Sequence, residues 1–327
     1  MTKTILLAVM ALSGCVNQNE RATTGNIVRL DPALDELIDA NEKVEVLGTG
    51  YQWTEGPVWV KNGGYLLFSD VKQNTIFKYK SGEAISVFLK PSGYTGSTHY
   101  SEEPGSNGLI MNQLGELVAC EHGDRRLSAM PLDTKVKRTL ADAYNGVPFN
   151  SPNDVVQNRN GDYYFTDPPY GLPGQKSDHP LGVYRLSTDG KLTLLVDNLT
   201  PNGLAFSPDE KVLYINQSLP DKAYIMRYAV NNDGTLGAGT IFFDATPMVK
   251  EGLPGLPDGL KVDQAGNLFT TGPGGVLIIS PAGKLLGRID TGQPTANCNW
   301  GDDGTVLYIT ANDRLCRIKT KTKGIGF

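Results

Sequence analysis

The sequence predicts an all-β fold, a six-bladed β-propeller, and two observations carry this prediction. A motif of two apolar runs separated by a polar turn occurs six times, at intervals of 38 to 56 residues. These intervals scatter around the length of a four-stranded propeller blade. The 327 residues also include 38 glycines and 20 prolines, and so many turn residues imply many short strands. A β-sandwich would not repeat one motif six times, and a β-helix has much shorter periods.

Each repeat reads as a strand, a hairpin turn and a second strand. The clearest copy runs from Asn202 to Ile215, with a Pro-Asp turn between its two apolar runs. The six copies begin at Glu55, Asn107, Asn153, Asn202, Asp258 and Ala296. An earlier strand near Val44–Leu47 is expected to pair with the last blade and close the ring, since closure removes open sheet edges.

Composition excludes several functional classes. The chain has 30 Lys and Arg against 35 Asp and Glu, a net charge of −5. A nucleic-acid-binding protein needs a basic face to meet phosphates, so no nucleic-acid partner is expected. Hydrophobic residues make up 39% and charged residues 20%, which is incompatible with a disordered chain.

The first residues read as an export signal. Lys3 precedes the apolar run Ile5–Leu12, which is too short to span a membrane. The following Leu-Ser-Gly-Cys resembles the lipobox of bacterial lipoproteins, which implies that Cys15 is lipidated and becomes the mature N-terminus. An ordinary signal peptide that happens to contain a cysteine is the alternative. The predicted organisation is a signal peptide over 1–14, a tether and short lead-in helix over 15–41, and a propeller catalytic domain over 42–327.

This signal places the protein in a bacterial cell envelope, facing the periplasm as a lipid-anchored lipoprotein. Membrane contact is expected only through the anchor, and a monomer is expected. Three cysteines remain after Cys15, namely Cys120, Cys298 and Cys316. Cys298 and Cys316 could form one disulfide in an oxidising compartment, or all three could be buried free thiols.

The starts of the repeats carry oxygen-bearing side chains. Equivalent positions of successive blades form a ring around the central channel, so Glu55, Asn107, Asn153, Asn202 and Asp258 could converge on its axis. Glu55 and Asp258 together supply a charge of −2, which would balance one divalent cation. Hard oxygen ligands favour Ca²⁺, with Mg²⁺, Mn²⁺ and Zn²⁺ as alternatives. The competing interpretation is that Asn-Gly and Asp-Gly are only turn residues.

Several motifs resemble the gluconolactonase/regucalcin (senescence marker protein) family. Those typical of the whole family are Glu55–Trp59, Ser151–Val155, Pro201–Asp209 and Pro257–Leu260. Those that look like its bacterial gluconolactonase branch are Gly105–Leu109, Cys120–Arg126 and Phe165–Gly171. The resemblance extends from about residue 42 to residue 320, and the order and spacing of the motifs make it specific.

The resemblance implies a six-bladed propeller that holds one divalent metal in its channel and hydrolyses sugar lactones. Position by position, it implies that the metal ligands are Glu55, Asn153, Asn202 and Asp258, with Asp258 also handling the proton. Animal members have an Arg two residues before the first Asn ligand, whereas this chain has Ser151. This departure affects the expected contacts with the sugar ring and leaves the metal ligands unchanged.

The expected reaction is the opening of D-glucono-1,5-lactone, or a similar sugar lactone, to the aldonate. The cation polarises the carbonyl, and Asp258, or less favourably Asp154, accepts a proton from the attacking water. Asn107, His122, Arg125 and Asp154 are the candidate substrate-binding residues. The alternative for His122 and Arg125 is a hydrogen-bonded loop histidine and a surface arginine. Neither G-x-S-x-G nor H-E-x-x-H occurs in the chain, so a serine triad or a zincin site has no support. The alternatives are an esterase or phosphotriesterase-like hydrolase using the same metal, and a non-catalytic ligand-binding propeller.

Overall fold

The computed structural model describes residues 21–177 and 180–327, and this part of the chain is almost entirely β-structure. Its strands form six antiparallel sheets of four or five strands and one two-stranded hairpin. The predicted Cys15 lies outside the described residues. Within the described ranges, no helix has both the length and the apolar character needed to cross a membrane.

The N-terminal part contributes three strands and a short helix. They are β1 (Thr23–Thr24), β2 (Asn26–Arg29), a 3₁₀ helix (Pro32–Glu36) and β3 (Val44–Thr49). The 3₁₀ helix lies where the sequence predicts a lead-in helix. The side chain of Asp31 caps it by accepting a hydrogen bond from the backbone N–H of Ala33 at 2.9 Å.

Blades 1 to 3 follow in chain order. Blade 1 comprises β4 (Thr54–Val60), β5 (Tyr65–Asp70), β6 (Thr75–Tyr79) and β7 (Ser86–Leu89), with a 3₁₀ turn at Lys61–Gly63. Blade 2 comprises β8 (Ser106–Met111), β9 (Leu117–Glu121), β10 (Arg126–Met130) and β11 (Arg138–Ala141). The hairpin β12 (Ala143–Tyr144) and β13 (Val147–Pro148) leads to blade 3. Blade 3 comprises β14 (Val155–Gln157), β15 (Tyr163–Asp167), β16 (Gly182–Leu186) and β17 (Leu192–Val196), with a 3₁₀ turn at Pro173–Gln175.

Blades 4 to 6 complete the ring. Blade 4 comprises β18 (Pro201–Phe206), β19 (Val212–Leu219), β20 (Lys222–Ala229) and β21 (Thr240–Asp244), followed by the helix α1 (Thr246–Lys250). Blade 5 comprises β22 (Leu260–Val262), β23 (Leu268–Gly272), β24 (Gly275–Ile279) and β25 (Leu285–Asp290). Blade 6 comprises β26 (Asn297–Gly301), β27 (Val306–Ala311) and β28 (Arg314–Lys319).

The first strands of the six blades contact one another in cyclic order, with β26 returning to β4. Each neighbouring pair of blades is joined by a buried apolar cluster, which gives six clusters in the described residues. The predicted six-bladed β-propeller is therefore confirmed. The predicted closing strand is also confirmed, because β3 pairs antiparallel with β28 in blade 6.

The predicted tether over 15–41 needs a correction within its described part. Residues 23–29 form β1 and β2 and belong to the propeller sheets. β1 pairs with β3 at the outer edge of blade 6, and β2 pairs with β25 at the outer edge of blade 5. The polar sequence of this segment is compatible with strands because an outermost strand buries little side-chain surface and is held mainly by backbone hydrogen bonds.

The cysteines are core residues. Cys120, Cys298 and Cys316 are all buried and free. Each belongs to one of the apolar clusters between blades, where a thiol packs as a small apolar group.

Candidate active site

Five polar side chains lie together at the entrance of the central channel. Glu55, Asn107, Asn153, Asn202 and Asp258 line one pocket, and we call them the donor ring. Each occupies the first position of its repeat, so the β-ladder of each blade brings it to the axis. The sixth repeat has Ala296 at this position, so blade 6 adds no side-chain oxygen to the ring.

The three asparagines of the donor ring form a hydrogen-bonded chain. Asn107 Nδ2 donates to Asn153 Oδ1 at 2.8 Å, and Asn153 Nδ2 donates to Asn202 Oδ1 at 2.6 Å. Asn107 Oδ1 is buried and has no hydrogen-bond partner among the described residues. A buried carbonyl oxygen without a partner is costly unless a ligand supplies one.

The two carboxylates of the donor ring repel each other in a poorly solvated site. Burial raises the pKa of Glu55 to about 8, and the nearby carboxylate of Asp154 adds to the shift. The pKa of Asp258 is also raised, by burial first and by Glu55 second. Among the described residues that line the pocket, none is a lysine or arginine. The site therefore concentrates negative charge without a lysine or arginine in the pocket lining to balance it.

Hydrogen bonds to its backbone fix the main chain of Asp258. The carbonyl oxygen of Asp258 accepts hydrogen bonds from the N–H of Gly203 at 3.0 Å and from Asn216 Nδ2 at 2.5 Å. The N–H of Asp258 donates to the carbonyl of Thr271 at 3.2 Å. Blades 4 and 5 both hold the residue, so its position does not depend on a mobile loop.

A second ring lies one residue further along each repeat. It consists of Gly56, Gly108, Asp154, Gly203, Gly259 and Asn297, and we call it the packing ring. A Cβ on Gly203 would lie 2.3 Å from the carbonyl oxygen of Asp258, and one on Gly56 would lie 2.1 Å from that of Asn107. The glycines that follow the donor residues are thus required by close approach of the next blade, and they do not mark turns.

Only blades 3 and 6, which face each other across the channel, carry side chains in the packing ring. Asp154 Oδ1 accepts from the N–H of Val155 at 2.9 Å, and Asn297 Nδ2 donates to Glu55 Oε2 at 3.2 Å. Burial raises the pKa of Asp154, an effect that Lys261 and Asn297 oppose. These side chains occupy the channel beneath the donor ring.

The donor ring forms the floor of a pocket of about 490 Å³. This volume is within the range of small-molecule sites. The lining also includes Val249, Leu253 and Leu256, from α1 and the segment after it, together with Glu103 and Tyr170. The hydroxyl of Tyr170 is buried close to Asn202 and Ser218, without a hydrogen bond of good geometry to either.

The predicted substrate-binding residues do not all reach the pocket. Asn107 lines it, whereas Asp154 lies below in the packing ring. His122 is fully buried behind the floor, with Nε2 at 3.3 Å from Asn153 Oδ1, and burial lowers its pKa to about 4. Arg125 is directed elsewhere, since its Nε donates to the carbonyl of Phe149 at 2.5 Å. The expectation that Arg125 lines the pocket is therefore not met.

Ser151 stands where animal members of the resembling family have an Arg, and it is a buried structural residue. Its Oγ donates to the carbonyl of Pro168 at 2.6 Å and accepts from the N–H of Gly171 at 3.0 Å. These bonds hold the loop that carries Tyr170 into the pocket. Ser151 therefore does not take over the substrate contact that an arginine would make at this position.

Sequence reasoning missed the residues that loops bring to the pocket. Trp53, Glu103, Tyr170 and Leu253 lie outside the repeated positions, so the repeat could not reveal them. Tyr170 falls within Phe165–Gly171, one of the family-like motifs, and this was the one available signal. Glu103 and Leu253 lie in none of these motifs, so the sequence offers no signal for them.

The donor ring fits a divalent cation. It combines two buried carboxylates, which lack a positive partner, with amide oxygens, of which Asn107 Oδ1 is unpartnered. In the described residues no three His, Cys, Asp or Glu side chains cluster as a metal site, so such a site would depend on the asparagines. This donor chemistry suits hard cations such as Ca²⁺.

Comparisons with known proteins agree with this architecture. A family model described as the SMP-30/Gluconolactonase/LRE-like region matches residues 53–313. The chain belongs to this family. It is 40% identical to a gluconolactonase of Zymomonas mobilis over 341 aligned positions, which cover 99% of this chain and 94% of the relative. The predicted membership, with its bacterial gluconolactonase branch, is thereby confirmed.

Two further relatives extend the comparison within the family. A pentonolactonase of Haloferax volcanii is 28% identical, with 81% of this chain and 83% of the relative covered. The solved structure of a gluconolactonase from Xanthomonas campestris superposes with a TM-score of 0.78 at 29% identity. That superposition covers 91% of this chain and 98% of the other.

Proposed function

We propose that this protein is a lactone hydrolase that opens sugar lactones, with D-glucono-1,5-lactone as the first substrate to test. The observation that carries the proposal is the donor ring at the floor of a 490 Å³ pocket, in a member of a family whose relatives include a gluconolactonase and a pentonolactonase. The other predicted activities lack a specific observation of comparable weight.

Glu55, Asn153, Asn202 and Asp258 would hold the cation, as the sequence predicts, with Ca²⁺ favoured over Mg²⁺, Mn²⁺ and Zn²⁺. When bound, the cation would supply Lewis-acid polarisation of the lactone carbonyl. Asn107 lies beside Asn153 in the donor ring and has an unused buried carbonyl oxygen. It is placed to orient a bound water or ligand.

Asp258 would act as the proton acceptor. As a water molecule adds to the lactone carbonyl carbon, its proton moves to the Asp258 carboxylate. The bond between that carbon and the ring oxygen then breaks, and Asp258 returns the proton to the ring oxygen, which becomes a new hydroxyl. The second proton of the water remains on the new carboxyl group and is lost to solvent, which gives the aldonate. The three hydrogen bonds to the backbone of Asp258, one of them from the Asn216 side chain, would hold the residue in place during the reaction.

The decisive experiment is hydrolysis of D-glucono-1,5-lactone, measured above its spontaneous rate, with and without a chelator. Metals are then added back singly. Activity that disappears with the chelator and returns with one cation supports the proposal. Activity unaffected by exhaustive chelation would reject the cation's part, and inertness towards all lactones when loaded with metal would reject the enzyme.

One feature favours a second candidate, an esterase acting on aryl esters. Val249, Leu253 and Leu256 are apolar residues of the pocket lining, against which an aromatic leaving group could pack. A panel that compares sugar lactones with aryl esters and an organophosphate separates the two. Faster turnover of the aryl esters would favour the second candidate.

We also propose that the protein works in the bacterial envelope, anchored through Cys15. The proposal rests on the lipobox-like Leu-Ser-Gly-Cys of the sequence. Labelling with a fatty-acid analogue in cells should mark the wild-type chain and leave Cys15→Ala unlabelled. A soluble, unlabelled wild-type protein would contradict it.

A further inference from the structure

Glu103 is a pocket residue that neither the repeat nor the reaction explains. It lines the same pocket as the donor ring but is carried by the loop before β8. Its side chain forms no hydrogen bond or ion pair with any described residue, and its backbone alone is engaged. Burial raises the pKa of its carboxyl, an effect that Lys72 opposes. Glu103 is half-buried and lines the cavity, so its carboxylate oxygens are free to accept hydrogen bonds from a ligand.

The backbone of this segment is held by the family-like motif Cys120–Arg126. His122 Nδ1 lies 3.1 Å from the carbonyl oxygen of Glu103, and the N–H of Gly123 donates to that of Pro104 at 3.1 Å. The N–H of His122 also donates to the carbonyl of Gly105 at 3.1 Å. His122 thus joins the donor ring at Asn153 to the loop that carries Glu103. It acts as a positioning residue for both.

The chemistry of the pocket limits what Glu103 can bind. An ionised carboxylate only accepts hydrogen bonds, and the pocket lining described here contains no lysine or arginine. Neutral hydroxyl donors therefore suit it best. Leu253 and Leu256 are apolar residues of the pocket lining and suit the C–H surface of a ring. With the ester group at the donor ring, as proposed above, the hydroxyl-bearing edge of the substrate would be free to contact Glu103 in the same pocket.

We propose that Glu103 recognises the hydroxyl groups of the substrate and makes this pocket selective for polyhydroxylated lactones. This inference rests on the proposed lactone hydrolysis and names the residue that sets its substrate class. Charge-assisted hydrogen bonds from ligand hydroxyls to a carboxylate are stronger than neutral ones. Loss of the carboxylate should therefore weaken binding of sugar lactones and leave an unsubstituted lactone almost unaffected.

The test compares Glu103→Ala and Glu103→Gln on two substrates, D-glucono-1,5-lactone and δ-valerolactone, which has the same ring without hydroxyls. We expect Glu103→Ala to lower kcat/KM for gluconolactone about 10- to 100-fold, mainly by raising KM. Glu103→Gln should lose less, because it keeps one acceptor oxygen. The matched control is Glu102→Gln, which removes the same charge from a neighbouring exposed side chain; it should leave both substrates unchanged.

The possible outcomes separate the inference from the function it rests on. Equal losses on both lactones, or no loss on either, would overturn the role of Glu103 in hydroxyl recognition. A wild-type protein inactive on both lactones would reject the proposed function instead. In that case the role of Glu103 is tested by measuring D-gluconate binding to wild type and to Glu103→Gln by calorimetry. Weaker binding by the variant supports the inference, and equal binding overturns it.

Discussion

The donor ring and the packing ring occupy adjacent positions in every repeat, yet their compositions are opposite. The donor ring presents five oxygen-bearing side chains to a pocket. The packing ring has four glycines and only two side chains, Asp154 and Asn297. The donor ring leaves buried carboxylates without a neighbouring positive charge and an amide oxygen without a hydrogen-bond donor. The packing ring brings the blades into contact. Function and packing are thus divided between neighbouring residues of one motif, and substitutions in the two rings should fail in different ways.

The largest effect is expected for Asp258→Ala in the donor ring. Losing the proton acceptor and a cation ligand should lower kcat for gluconolactone by about 10³-fold or more. The melting temperature should not fall, because the variant removes a buried charge whose raised pKa marks an unfavourable environment. Activity and thermal unfolding are measured together.

Asp133→Ala, in the exposed turn between β10 and β11, is the control for Asp258→Ala and should match wild type. Activity of Asp258→Ala within tenfold of wild type would remove Asp258 from the mechanism.

The chelated protein should lose stability as the pH rises. Burial raises the pKa of Glu55 in the fold from its ordinary value of 4.5 to about 8, so the folded state binds more protons than the unfolded state between these values. Stability is therefore greatest at the acidic end of this window and falls as the pH approaches 8. The melting temperature should drop on the order of 5 °C from pH 5 to pH 8.

Glu55→Gln should flatten this dependence in the chelated protein, and excess Ca²⁺ should oppose it in wild type by binding the ionised form. A melting temperature that is independent of pH with and without cation would contradict the charge balance inferred for the donor ring.

A substitution in the packing ring should lower the stability of the fold more than it lowers activity. Gly203→Ala places a Cβ 2.3 Å from the carbonyl oxygen of Asp258, so blades 4 and 5 must separate. We expect a cost of about 2 to 3 kcal/mol, seen as a melting temperature lower by about 5 °C, with a smaller loss of activity.

Gly237→Ala is the matched control for Gly203→Ala, because its Cβ would make only ordinary contacts at 3.6 and 3.7 Å from Ala229. Equal melting temperatures for the two variants would contradict the close approach of the blades.

The smallest effect is expected for Ser151→Ala, next to the donor residue of blade 3. Loss of two buried hydrogen bonds that hold the Tyr170 loop should cost about 1 to 2 kcal/mol and raise KM modestly. Ser81→Ala, in an exposed turn, serves as control. A rise in KM larger than that of Glu103→Ala would mean that the Tyr170 loop contributes more to binding than the carboxylate does.

The repeat explains how much the sequence could predict. Strand pairs recur with a fixed first residue, so the blades, their number and the members of the donor ring could be read from the chain. The role of the glycines could not, because an Asn-Gly pair also occurs in ordinary turns and only the distance to the next blade distinguishes the two. Residues 23–29 read as a tether in the sequence because an edge strand of polar composition lacks a clear alternation.

Loop residues escaped prediction for a related reason. Glu103 and Leu253 reach the pocket because neighbouring segments fix their loops, and no periodicity marks such positions. Arg125 shows the converse: it stands in a family-like motif, but it binds backbone carbonyls of Pro148 and Phe149. A motif can therefore be typical of a family although some of its residues only support the site and do not line it.

The pairing of N-terminal strands with the outer edges of blades 5 and 6 has a mechanical consequence. β1 and β2 are the outermost strands of two adjacent blades, and β3 pairs with β28 and so joins the first part of the chain to the last blade. A force applied at the N-terminal end would be borne by this outer edge, with three strands between β1 and the channel strand β26. Tension at that end would peel peripheral strands long before it distorted the axis, so the chain could be tethered without disturbing its centre.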